Sequence, residues 1–158
     1  MVFHKDELLA DIAGNCEVVA MTAQGDRHIV QDVLDDGNRE LVERSMVRSF
    51  SECVTLLYPY AKCLMGSHRK DNKQEDVAAY EMVLDFENLR SETNLEHLKN
   101  CIHDYIVYKA VAGWLVKSLP EANAGDWEEK AANLRNQVAT ALVLPYAPAR
   151  LRIKPHWY

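Results

Sequence analysis

Three side chains on one predicted helix offer nitrogen, sulfur and oxygen ligands. His97 and Cys101 stand four residues apart and Cys101 and Asp104 three apart, so helical winding brings all three to one face. A zinc centre needs further ligands at comparable reach. Cys53 or Cys63 has the right type, but no spacing directs either of them there. His103 falls elsewhere on the same helix. The simpler reading is a surface histidine beside a core cysteine. No metal centre and no cofactor is expected.

Other catalytic patterns are weaker. The chain contains no G-x-S-x-G, no P-loop and no G-x-G-x-x-G. The acid pairs Glu128-Glu129 and Asp35-Asp36 fall in the first turn of a helix and in a turn. There they favour the helix dipole or make turn bonds rather than share a proton. No buried acid pair for general acid–base work is visible. The expectation is therefore a protein that is not an enzyme, with no catalytic residues. Tyr58-Pro59-Tyr60 and Trp114 suggest a ligand pocket, but aromatics at helical spacing read first as core. The cluster His68-Arg69-Lys70 with Lys73 is followed by Glu75 and Asp76, which reads as a solvated loop.

The segment PYAPARLRIKPHWY (145–158) is different in kind. Arg150, Arg152 and Lys154 alternate with Leu151 and Ile153. In an extended chain this puts cations on one side and aliphatics on the other. Pro148 and Pro155 favour extended conformations and remove backbone donors. The apolar edge must lie on its own domain or on a neighbour. Arg150, Arg152, Lys154 and Trp157 are the candidate partner-binding residues.

Total composition narrows the class. The chain has 158 residues, enough for one domain with a hydrophobic core. Its net charge of −6 argues against a whole-surface nucleic-acid binder. Four scattered cysteines without a C-x-x-C pair fit reduced, buried thiols. The opening MVFHKDELLADIAG carries charges inside its apolar segment, unlike a signal peptide. YIVYKAVAGWLV (105–116) is the most apolar run. It is short and interrupted by Lys109, so it reads as a buried helix and not as a membrane span.

The elements that would carry these residues follow from periodicity. A short helix is predicted over Phe3–Ala13, with Leu8, Leu9 and Ile12 buried and Gly14-Asn15 as its stop. CEVVAM (16–21) reads as a short strand. A second short helix follows Gly25 with Asp26 as cap, and Asp35 to Asn38 form a turn. The first long helix runs from about Arg39 to Ala61, capped by Asn38, with Val42, Met46, Phe50, Cys53 and Leu57 as its buried stripe. Alternation over Tyr80–Phe86 predicts a strand, with Lys62–Met65 as its hairpin partner. Thr93 and Glu96 form a capping box that opens the second long helix. Its stripe is Leu95, Leu98, Ile102, Tyr105, Ile106, Ala110 and Gly113, and its end is Leu119-Pro120. From Tyr105 to Val116 it is apolar nearly all round, so it should be central. Asp126 caps a third long helix, Trp127–Leu144, which buries Trp127, Ala131, Leu134, Val138, Ala141 and Leu142. The expected fold is mainly α: a helical bundle of three long and two short helices with a small β-hairpin or strand element. It occupies one domain, 1–144, followed by an extended C-terminal tail, 145–158.

This order resembles the small α-helical head–tail connector (adaptor, or neck) proteins of tailed bacteriophages and prophages. The resembling stretch runs from Asp26 to about Leu144. It comprises DRHIVQDVLDD, then LVERSMVRSFSECVTLLYPYA ending at tyrosines, a polar excursion with a β segment, NLEHLKNCIHDYIVYKAVAGWL, and WEEKAANLRNQVATAL as the closing helix. The long polar loop 67–76 and the aromatic tail depart from the family. The resemblance implies a non-catalytic virion component that forms a homo-oligomeric ring between portal and tail. Its partners would be further copies of itself and phage portal or tail proteins. DNA would only pass through the ring's channel, with no sequence-specific binding and no membrane contact. The implied location is the virion or the host cytoplasm. Read without the resemblance, the same residues fit a bacterial helical protein–protein interaction or regulatory module without catalytic activity.

Overall fold

The computed structural model describes residues 1–24, 36–57, 79–82, 92–119 and 122–143. The described chain is mainly helical. Strand β1 (Val2–His4) is followed by helices α1 (Lys5–Gln24) and α2 (Asp36–Leu57), strand β2 (Ala79–Glu81), and helices α3 (Glu92–Ser118) and α4 (Ala124–Val143). The second short helix, the Lys62–Met65 hairpin partner, the basic loop, Tyr58-Pro59-Tyr60 and the tail all lie outside the described residues.

The central prediction holds: α3 packs against α1, α2 and α4. Ile102, Ile106, Ala110, Val111 and Leu115 are fully buried along it. Leu95, counted in the stripe, is instead 39% exposed on the first turns, ahead of the packed region. On α2, all five residues of the expected stripe are buried. On α4, Ala131 and Val138 are buried, and Trp127, Leu134 and Ala141 pack partly buried against the core.

Two α3 features set the packing. Gly113 faces α2, and a β-carbon built there would stand 3.3 Å from Ser45 Oγ. The missing side chain lets the two helices approach closely. Trp114 is buried, and its indole Nε1 has no hydrogen-bond partner among the described residues.

The N-terminal region departs from expectation. Phe3 does not start a helix; it lies in β1, which pairs antiparallel with β2 in the register Val2↔Glu81, Phe3↔Tyr80 and His4↔Ala79. Among the described residues, the partner of the predicted strand is therefore this N-terminal segment. Met82 N donates to Met1 O at 2.9 Å and lengthens the ladder. Phe3 meets Phe50 edge to face at 6.2 Å, and Phe50 meets Tyr80 at 5.2 Å, so the aromatic cluster joins the sheet to α2. Beside it, Lys5 bridges to Glu43 at 3.1 Å.

Helix α1 does not stop at Gly14, and Cys16–Met21 is helical rather than a strand. A mid-helix glycine costs about 1 kcal/mol relative to alanine. Burial of Leu8, Leu9, Ile12, Cys16 and Ala20 on one continuous stripe outweighs that cost. Asn15 joins in, its amide donating to Asp11 O at 2.7 Å. The predicted short helix is thus a long one, and the described residues form four helices.

Helix boundaries shift as well. Of the predicted turn Asp35–Asn38, Asp36 to Asn38 are the first turn of α2 and residue 35 lies outside the described residues, so Asn38 lies inside the helix and is not its cap. First-turn amides have no intrahelical acceptor, so this position tolerates glycine and asparagine. Helix α3 opens at Glu92, one residue before the expected Thr93 cap. Helix α4 begins before Asp126, and its cap is Asn123. Asn123 Oδ1 accepts from Gly125 N at 3.2 Å, and its amide donates to Asp126 Oδ1 at 2.7 Å.

Candidate functional site

Helices α2 and α4 flank α3 and leave a groove of about 890 Å³ between them. Tyr105 and Lys109, one turn apart on α3, contribute from its floor. Arg48, Glu52, Thr55 and Leu56 line the α2 side, and Glu128, Ala132 and Arg135 line the α4 side. Each set recurs at three- or four-residue spacing, so each helix presents one face to the groove.

The groove is knit by charge. Tyr105 donates its hydroxyl to Glu52 Oε2 at 2.7 Å, and Arg48 Nε donates to Glu52 Oε1 at 3.3 Å. Lys109 Nζ donates to Glu128 Oε2 at 2.7 Å, bridging α3 to α4. Arg135 has no carboxylate at ion-pair distance among the described residues. The lining thus holds three cations against two carboxylates, and one guanidinium is left to accept an incoming acid. Burial raises the Tyr105 hydroxyl well above the ordinary tyrosine range, and its bond to Glu52 adds to the effect. Tyr105 therefore stays a donor at neutral pH.

The described thiols are free and buried. Burial pushes Cys16 up to about 12. Burial and the neighbouring Glu52 charge push Cys53 up to about 12, partly offset by Arg135. These thiols are held protonated, whereas the thiolate is the reactive form.

The predicted ligand face is only partly assembled. Cys101 Sγ lies 3.6 Å from His97 Nε2. Its second neighbour is Gln137 of α4, whose Oε1 accepts from Sγ at 3.7 Å. Cys101 is also raised, by burial and then by the Asp104 charge. Asp104 belongs to another cluster, where His103 Nε2 stands 2.7 Å from Asp11 Oδ2 across α1 and α3. Cys53 lies on α2 near Arg135 and Tyr105. Among the described residues, no three His, Cys, Asp or Glu side chains form a metal cluster. Trp114 is core, as expected. The tail candidates Arg150, Arg152, Lys154 and Trp157 lie outside the described residues.

Sequence reasoning missed the groove. Its available signal was Lys109, a cation inside an apolar helix, which marked the place where α3 reaches a polar surface. The partners Glu52 and Glu128 come from distant helices, and no local spacing pairs them with Tyr105 or Lys109.

Among the described helices, none is long and apolar enough to cross a membrane. Comparison with protein-family models, curated proteins and solved structures found no match.

Proposed function

We propose that the chain is a structural assembly protein of the head–tail connector type, packing with further copies of itself into a ring between portal and tail. Head-to-tail packing joins two different surfaces of the same chain, one receiving and one projecting. The observation that carries the reading is that the described residues hold both. The receiving surface is the charged groove. The projecting candidates are single apolar side chains that stand in solvent and do not line the groove: Val18 at 63% and Val116 at 64% exposed, with Met21 and Val47 also exposed. Single exposed aliphatics are ordinary on a monomer; their occurrence on three helices, outside the lining of the charged recess, fits repeated contact between copies. In this reading Arg150, Arg152, Lys154 and Trp157 of the tail add the link to a neighbouring copy or to the portal or tail protein.

The test is light scattering with electron microscopy of purified protein over a wide concentration range, alone and with portal protein. Rings or concentration-dependent oligomers are expected, and Val116→Glu and Arg135→Glu should each shift the population towards monomer. A strictly monomeric protein that ignores the portal overturns the reading.

A further inference from the structure

We infer that the groove between α2 and α4 receives the outer face of α1 from a second copy of this chain. The contact rests on the head-to-tail reading and supplies its projecting element. Charge selects the occupant. The lining holds Arg48, Lys109 and Arg135 against Glu52 and Glu128. Arg135 has no carboxylate at ion-pair distance among the described residues, so the groove calls for an acid from outside. Helix α1 offers acids on a face without cations. Asp6, Glu7 and Asp11 are exposed and Glu17 is half-buried. Lys5, the one Lys or Arg of α1, is buried and bridges to Glu43.

The α1 of the same molecule cannot be the occupant. It meets α3 at His103, whose Nε2 stands 2.7 Å from Asp11 Oδ2, whereas the groove floor is Tyr105 and Lys109. Residues two apart on a helix point about 200° apart, so α1 and the groove lie on different sides of α3. Two complementary surfaces on different sides of one chain join copies head to tail. The dimensions agree. The α2 lining runs from Arg48 to Leu56, about 12 Å by helical rise, and Glu7 to Gly14 covers about 10 Å of α1. Glu7, Ala10 and Gly14 recur at helical spacing and are all exposed. A β-carbon at Gly14 would meet nothing within 4 Å among the described residues. The single chain therefore gains no packing from this glycine, which costs α1 stability relative to alanine. Close approach of a neighbouring helix gives it a use. In the contact, Glu7 accepts from the Arg135 guanidinium while Ala10 and Gly14 let the α1 backbone enter between α2 and α4.

Analytical ultracentrifugation of the full-length protein over a wide concentration range tests the contact. Glu7→Arg and Arg135→Glu should each weaken self-association by roughly tenfold or more, because each sets like charges together. Gly14→Leu should do the same by filling the approach, and its melting temperature should not fall below that of the wild type. Circular dichroism establishes that the variants fold. Mixing Glu7→Arg with Arg135→Glu should restore association, since the intact groove of the first meets the intact α1 of the second. Wild-type oligomers that ignore Glu7→Arg and Gly14→Leu, or variants that show no rescue on mixing, overturn the α1 contact and leave the assembly reading standing. Dimers or open chains that respond as described keep the contact and overturn the ring. A wild type that stays monomeric throughout overturns both.

Discussion

Tyr105 on α3 donates its hydroxyl to Glu52 on α2 at 2.7 Å, from a ring that is 5% exposed to a carboxylate at the groove. The bond joins core to groove and holds a polar group where the helix pair would otherwise be sealed by apolar contact. Tyr105→Phe keeps the ring packing and removes the donor. The expected cost is about 1–2 kcal/mol, typical of a hydrogen bond to a charged group at partial exposure, measured by urea unfolding.

The same pair fixes a pH dependence. Burial and Glu52 raise the Tyr105 ionisation in the folded state above the value of about 10 that holds in the unfolded chain. The unfolded state thus gives up its proton first. The contribution to stability is complete below that unfolded value and declines as pH climbs above it. Wild type should therefore lose stability more steeply in alkaline solution than Tyr105→Phe. Parallel curves for the two proteins would show that Tyr105 is not the group responsible.

Asp104 gives the opposite experiment on the acid side. Burial raises its carboxyl, assisted by the Asp11 charge and partly offset by His103. The folded state therefore holds this proton more tightly than the unfolded state, and ionisation costs stability as pH rises through the folded value. Asp104→Asn should be the more stable protein at neutral pH, with the advantage shrinking as pH falls to the ordinary carboxylate range. Thermal melts at several pH values read the difference.

Gly113 tests the close approach of α2 and α3. Ser45 Oγ stands 3.3 Å from the place a β-carbon would take. Gly113→Ile fills space the interface lacks and should cost about 1–3 kcal/mol. Adding Ser45→Gly should recover part of the loss, because it vacates the contested volume. A double mutant no better than the single one would place the strain elsewhere.

The tail is tested by removal. Deletion of residues 150–158 should leave the helical circular dichroism largely unchanged and shift light-scattering mass towards monomer. Unfolding of the domain, in a protein that never oligomerised, would make the tail a cover for its own bundle.

Sequence legibility followed the range of the interactions. The α2 stripe from Val42 to Leu57 and the centrality of α3 were readable because helical burial repeats locally. Gly14 misled because its local cost is visible while the distant surface that repays it is not. Asn123 was passed over as a cap in favour of Asp126, although its side chain accepts the Gly125 amide while Asp126 already lies in the first turn. The strand expected over Tyr80–Phe86 was recognised in part: β2 is Ala79–Glu81, Met82 is not strand and 83–86 lie outside the described residues, while the pairing of Tyr80 with Phe3 depends on a fold that brings remote segments together. His97 and Cys101 were visible as a pair by spacing; Gln137 was not, because it arrives from another helix.

The Phe3↔Tyr80 pairing also bears on synthesis. During translation the N-terminal strand leaves the ribosome long before its partner, with two helices still to be made between them. Leu8, Leu9 and Ile12 emerge early too, while α3, the helix against which α1 packs, comes later still. Until those later segments have been made, the nascent chain carries an unsatisfied strand edge and a bare apolar stripe, the kind of surface that chaperones engage. The native packing of the N-terminal region therefore needs β2 and α3 to have been made, because β1 pairs with the one and α1 packs against the other.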